Sequence, residues 1–429
     1  MKKSLNLVLK HPLFAGSFIM IVGSNSVNLL NYLYHIASGR LLGPEKYGEL
    51  ASLISVISLL SVIPASFSLV IIKYVSSAKN SQEIRGLLVW LKSITLKASI
   101  LVSAVIILFS PFISSFLKIE SNFFVILIAL LFMFSLSSLI LRSVLQGLLK
   151  FKEFIITLLA EGMSKFSLTF IILFLGFGVF GALISLVISA IIGFIITIYY
   201  LKEIFLSESS SKRPKNLKAM FSYAVPVAFF TISATSLYSS DLILVKHFLS
   251  AYDAGIYAAL STLGKIIYFG TAPIGSVMFP LVSKKFSSGE KYMKIFLYSL
   301  VSTLIISLSI LIVYLFFPDI AIQILYGPSY LNAQRLLIWF GLFITFFTLS
   351  SLVISFNLSL GKLKVVIFPF IAAIAQIILI WFFHESLFVI ILISNVVSAL
   401  LLLSLLIYSS YEKKQLSSNT INISNSTSL

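Results

Sequence analysis

Residues 38–56, SGRLLGPEKYGELASLISV, decide how this chain is read. An apolar run, residues 13–33, leads into them, and a second long apolar run follows. Between the two stand Arg40, a Gly43-Pro44 break and the charged pair Glu45 and Lys46. Glycine and proline interrupt regular structure, and adjacent charges hold a turn in water. The stretch therefore reads as a short turn joining two long apolar elements, and the rest of the sequence says what those elements are.

The chain has 429 residues, 59% of them hydrophobic and only 10% charged, where a water-soluble domain carries roughly 25% charged residues. Apolar runs of about 20 residues recur from end to end, each long enough to cross a hydrocarbon core of roughly 30 Å. Barrel strands would alternate polar and apolar residues. Runs such as FFVILIALLFMF, residues 123–134, are apolar on every side, so the spans are helices whose backbone groups are satisfied internally. The expected fold class is an all-α polytopic membrane protein. It has about twelve spans, at residues 13–38, 48–72, 94–117, 123–147, 154–175, 179–201, 219–247, 251–282, 295–317, 333–359, 364–383 and 386–408. The basic start, with Lys2, Lys3 and Lys10, has the form of a secretory signal. However, the run after it is too long and lacks a small-residue cleavage site, so it is expected to remain as the first span. The absence of cysteine removes disulfides, thiol chemistry and Cys-based metal sites.

The net charge of +17 would suit a nucleic-acid partner, but its distribution points elsewhere. With a cytoplasmic N-terminus, 24 of the 31 Lys and Arg residues fall on cytoplasmic connections and 5 on outer ones. This is the positive-inside asymmetry. It predicts an even span count, both termini in the cytoplasm of a cell-membrane protein, contact with anionic membrane lipids and no nucleic acid.

The polar segment 202–218, KEIFLSESSSKRPKNLK, reads as a cytoplasmic linker between residues 1–201 and 219–408, each a six-helix lobe. The polar tail 409–429 reads as disordered. A shift of 207 residues lays Gly48 on Gly255, Ala51 on Ala258, Val75 on Val282 and Ser76 on Ser283. Six spans per half gives the halves one orientation, the pattern of parallel repeats about the membrane normal.

The residues that could carry chemistry are few. No P-loop, paired aspartates or long catalytic loop is present, so no enzyme activity, cofactor or metal is expected. In the first span Asn28, Asn31, His35 and Ser38 are spaced three, four and three apart, which puts them on one helix face. Such a face belongs against protein or water, either lining a hydrated cavity or as polar glue between helices. At the 207-residue shift Tyr238 falls on Asn31 and Thr235 on Asn28. Serines at 52, 55, 58 and 61 point to close helix packing. Ionisable groups inside spans are functional candidates by default. Glu161 and Lys165 stand at i,i+4 in the fifth span and can pair, Lys265 is deep in the eighth, and Asp241 is in the seventh. Lys73 and Arg142 lie near inner span ends, where they either snorkel to headgroups or meet an anionic substrate. Glu161 and Asp241 are the candidates for ion coupling.

The motif GRLLGPEKYGELASLISVISLLS followed by IIKYVS, with its echo YDAGIYAALSTLGKI, resembles the polysaccharide-biosynthesis flippases of the multidrug/oligosaccharidyl-lipid/polysaccharide exporter superfamily. The resemblance implies alternating access between two six-helix lobes. It also implies transfer of an oligosaccharide on a polyprenyl or dolichyl (di)phosphate carrier, whose phosphate meets cations in the cavity. The expected partners are that lipid-linked oligosaccharide and glycosyltransferases of the same pathway, with the transporter itself a monomer. Lys73, Lys165 and Lys265 are chosen on burial, since no family motif marks them. A cation-coupled multidrug antiporter of the same superfamily is the alternative. A membrane-embedded glycan polymerase or ligase ranks below it, because the outer loops are short.

Overall fold

The computed structural model describes residues 12–76, 81–206, 228–229 and 231–426, and among these every regular element is a helix. Among the described residues nine helices are long and apolar enough to cross a membrane: Ile84–Leu108, Asn122–Gly147, Phe151–Phe174, Gly178–Ile204, Ala251–Ser287, Met293–Phe316, Pro328–Ser359, Leu363–Phe382 and Leu387–Ser410. They correspond to expected spans three to six and eight to twelve. The first two spans form the long element Pro12–Leu60 with its continuation Val62–Ser76. Span seven lies partly outside the described residues; 228–229 and 231–237 are helical, a turn falls at Tyr238 and Ser239, and Ser240–Phe248 follows.

The opening turn is confirmed as a backbone break. Pro12–Leu60 is helical throughout except at Gly43, where φ is 75° and ψ 172°. A side chain is strained at that φ, and the proline that follows has no N–H to continue the helical ladder. A second bend, of 44°, separates Leu60 from Pro64, so span two is kinked where Pro64 stands. Pro273 and Pro280 instead lie inside the helix Ala251–Ser287.

Two boundaries differ from expectation. Span three begins at Ser81, well before residue 94, and ends at Leu108; a separate short helix, Ser110–Phe116, has Pro111 in its first turn. Glu83, Arg85 and Lys92 dilute the apolar signal at the start of this helix, which hid it in the sequence. The arrangement recurs in the second half, where Met293–Phe316 is followed by the short helix Pro318–Leu325. The last helix, Leu387–Ser426, runs on through the polar tail that composition assigns to disorder.

The described residues form two compact units. The first ends at Thr231 and takes in Ser250–Gly255; the second comprises Ile232–Leu249 and the chain from Ile256 onward. In the first, Val70, Ile71, Leu88, Leu91, Val144 and Leu145 form an apolar core. Small residues bring its helices together: a Cβ on Gly147 would stand 2.7 Å from Val75 Cβ, and one on Gly48 2.5 Å from Gly255 N. The expected serine packing is partly seen. Ser52 and Ser55 are buried, and Ser52 donates to the Glu49 carbonyl at 2.8 Å. In the second unit Tyr257, Phe340 and Phe343 stack edge to face at 5.2 and 5.4 Å, and Tyr314 donates to the Leu263 carbonyl at 2.7 Å.

Candidate functional site

Each unit holds a lysine inside a span, with an aromatic ring beside it: Tyr34 of the first helix in one, and Tyr238, at the turn before Ser240–Phe248, in the other. In the first unit Lys165, on helix Phe151–Phe174, donates to the Asn31 side-chain oxygen and lies 4.8 Å from the centroid of the buried Tyr34 ring. The polar face of the first span continues past that contact. His35 packs on Tyr34 with centroids 5.3 Å apart, and its Nδ1 stands 3.2 Å from the hydroxyl of the fully buried Tyr47. Asn28, on the same face, is exposed. An aromatic face and an amide oxygen both attract a cation.

The partner expected for Lys165 is taken elsewhere. Glu161 Oε2 accepts from Arg142 Nη2 at 2.6 Å, and the same nitrogen donates to the Thr157 carbonyl at 3.2 Å. Gly193 makes room for this pair, since a Cβ there would strike both Arg142 Nη2 and Glu161 Oε2. The i,i+4 spacing placed Glu161 within reach of Lys165, but the bidentate-capable guanidinium of Arg142 competes better for a carboxylate. Arg142 is only 6% exposed, so the alternative of snorkelling to headgroups does not describe it. Lys73 is exposed in the last turn of Val62–Ser76, as a headgroup-facing lysine would be.

In the second unit Lys265 Nζ lies 5.2 Å from the centroid of the Tyr238 ring. Tyr238 belongs to an aromatic group with Tyr268 and Phe347, each 5.6 Å from Phe347 between centroids. Asp241 is buried; it accepts from the Tyr257 hydroxyl at 2.7 Å and from the Leu242 amide at 2.8 Å, and it interacts electrostatically with Lys265. Nearby in the same unit, the buried Gln376 donates to Ser394 at 2.9 Å. Among the described residues neither Lys165 nor Lys265 makes an ion pair.

Sequence reasoning missed Tyr34, Tyr257 and Thr157. Tyr34 had a signal, since it follows Asn31 by three residues and so shares its face. Tyr257 and Thr157 had none, because their roles come from helices distant in sequence.

The comparisons with known proteins agree with this architecture. The family model described as "Polysaccharide biosynthesis protein" matches residues 13–286. An uncharacterized membrane protein of Methanocaldococcus jannaschii is 25% identical over 340 residues, which is 75% of this chain and 79% of that one. Among solved structures, a lipid II flippase in an inward closed conformation aligns with TM-score 0.71 and 15% identity, covering 92% of this chain and 87% of that one. A multidrug resistance transporter in an inward-facing conformation, described as of the MATE family in the MOP superfamily, aligns with TM-score 0.70 and 16% identity, covering 89% of this chain and 95% of that one. At such identities the two structures speak for the fold alone.

Proposed function

Given that the chain belongs to the polysaccharide biosynthesis protein family, we propose that it is a flippase. Its cargo is an oligosaccharide on a polyprenyl- or dolichyl-(di)phosphate carrier, moved across the cell membrane by alternating access. The observation that carries this reading is the pair of in-span lysines, Lys165 against Asn31 and Tyr34 and Lys265 against Tyr238, each with a carboxylate in its surroundings but neither in an ion pair among the described residues. A lysine in that setting is a point charge open to a phosphate. Asn31 and the aromatic groups beside the lysines hold the ammonium groups in place while the cargo is absent. Lys73 adds a cation at the cytoplasmic entrance. Arg142, held by Glu161, positions the helix that carries Lys165. The termini are placed in the cytoplasm by the basic asymmetry, the protein works as a monomer without a cofactor, and glycosyltransferases supply its cargo.

The test is export of a surface glycan in a host whose own flippase is deleted. The parent protein restores export, and the Lys165→Gln, Lys265→Gln variant, at equal membrane levels, does not. Full export by that variant would refute the phosphate-cation role. No export by the parent in any glycan pathway offered would refute the flippase reading.

The second reading, a cation-coupled drug antiporter, has one observation in its favour: the buried carboxylate of Asp241 with its Tyr257 partner. Loss of drug efflux in Asp241→Asn with glycan export intact would favour it.

A further inference from the structure

Asp241 stands close enough to Lys265 to act on it electrostatically, yet the two form no ion pair among the described residues. Unpaired charges inside a span are costly, so a carboxylate and an ammonium in one neighbourhood are expected to meet. The helix Ala251–Ser287 favours that meeting. Tyr257, Ser261 and Lys265 stand at i, i+4 and i+8 on one side of it, and helical side chains lean toward the helix N-terminus. The lean carries the Lys265 stem back toward the turn of Tyr257, the residue that holds Asp241.

What keeps them apart is that each oxygen of Asp241 already has a donor. Oδ2 accepts from the Tyr257 hydroxyl at 2.7 Å and Oδ1 from the Leu242 amide at 2.8 Å. Tyr257 is fully buried, and its ring packs edge to face on Phe340 with centroids 5.2 Å apart. Its hydroxyl also has Ser394 as a hydrogen-bonding neighbour. Ser394, itself buried, accepts from Gln376 Nε2 at 2.9 Å. A line of polar groups therefore runs from Gln376 on Ile367–Phe382, through Ser394 on Leu387–Ser426, to Tyr257 and Asp241. Lys265 is left with the Tyr238 ring, whose centroid is 5.2 Å from Nζ.

We propose that Tyr257 is a positioning residue: by holding Asp241 it keeps that carboxylate off Lys265 and leaves the ammonium open to the phosphate of the cargo. The inference rests on the flippase reading and deepens it, since it names what keeps one of the two cations available. Tyr257 touches no cargo and acts through Asp241. Without the hydroxyl, Oδ2 becomes a buried acceptor with one donor fewer. Lys265, a cation on a flexible four-carbon stem, is already within its field. The ion pair that forms then competes with the phosphate for the same ammonium. Ser394 and Gln376 support the arrangement from the far side of the tyrosine.

The test uses the purified full-length protein in detergent with a fluorescent polyprenyl phosphate, and beside it the uncharged polyprenol with the same chain and label. Lys265→Gln sets the scale and should bind the phosphate about tenfold more weakly than the parent, the loss of one charge-assisted contact. Tyr257→Phe should lose a similar factor for the phosphate and nothing for the polyprenol. Adding Asp241→Asn to Tyr257→Phe should return phosphate binding to the parent level, because the carboxylate that captured the lysine is gone. Asp241→Asn alone should bind the phosphate at least as tightly as the parent, and it decides the matter if Tyr257→Phe does not fold. Four results overturn the proposal: unchanged phosphate binding by Tyr257→Phe, an equal loss for phosphate and polyprenol, a double variant no better than Tyr257→Phe, or weaker phosphate binding by Asp241→Asn. Parent-like binding by Lys265→Gln would remove the lysine's part in the flippase reading and this inference with it. A weakened Lys265→Gln beside an unchanged Tyr257→Phe would remove this inference alone.

Discussion

Removing one partner of the Arg142–Glu161 pair should destabilise the first unit more than removing both. Arg142 is 6% exposed, its Nη2 lies 2.6 Å from Glu161 Oε2, and no side chain at Gly193 intrudes on the contact. Glu161→Gln keeps the shape and an acceptor oxygen but removes the negative charge, leaving the buried guanidinium beside the Thr157 carbonyl with no counter-charge in this pair of contacts. Breaking a buried pair from one side costs about 3–5 kcal/mol. The Glu161 side chain is 27% exposed, so the lower end of that range, about 3 kcal/mol, applies. For a unit of roughly 200 residues, 1 kcal/mol moves the melting midpoint by about 2–4 °C, which gives a fall of about 6–12 °C. Arg142→Met should lose a similar amount. The double replacement Arg142→Met, Glu161→Gln removes both charges and should recover at least half of either loss, because the two sites act as one. Thermal unfolding of the purified protein in detergent, followed by size-exclusion profile, reads all four proteins. A Glu161→Gln midpoint within about 1 °C of the parent, or a double variant equal to the sum of its singles, would show that the pair is not a buried unit.

Other outcomes follow from single contacts. Gly255→Ala would drive a Cβ into the Pro44 carbonyl and should lower stability by about 1–3 kcal/mol, whereas Gly270→Ala, inside the helix Ala251–Ser287 with nothing within 4 Å, should hold or raise the midpoint in the same melt. Tyr257→Phe removes the hydroxyl hydrogen bond to Asp241 and should cost about 1–2 kcal/mol; an unchanged midpoint would refute that contribution. A reporter active only outside the cell, fused at the C-terminus, should stay silent, and a strong signal would require an odd number of spans.

Much of the fold was legible because membrane helices announce themselves locally. A run of about 20 apolar residues is both the signal and the structure, and Gly43-Pro44 states its own break. The errors lie where a second signal was superposed. Glu83, Arg85 and Lys92 hid the first turns of Ser81–Leu108, and the Pro111 break is marked by one residue in an otherwise apolar stretch. The site was legible only in part. Lys165, Lys265 and the Asn31 face were visible as polar groups where lipid would penalise them. Their partners were not, because contacts such as Arg142 to Glu161, 19 residues apart, and Asn31 to Lys165, 134 apart, depend on how helices pack. The nearest-neighbour rule that paired Glu161 with Lys165 was right about reach and wrong about competition.

The central claim is movement of a phosphate-linked glycolipid, and it is tested most directly in vesicles that contain only this protein. A fluorescent oligosaccharide on a polyprenyl diphosphate, placed in both leaflets, is exposed to a membrane-impermeant quencher, and the protected fraction is followed in time. The account predicts that protein-containing vesicles lose the protected fraction while empty ones keep it. Losing one charge-assisted contact costs about 1.5–3 kcal/mol, about 10- to 150-fold, so the Lys165→Gln, Lys265→Gln variant should slow the loss at least 100-fold. A protected fraction that persists with the parent protein as it does in empty vesicles, or a double variant as fast as the parent, would contradict the account.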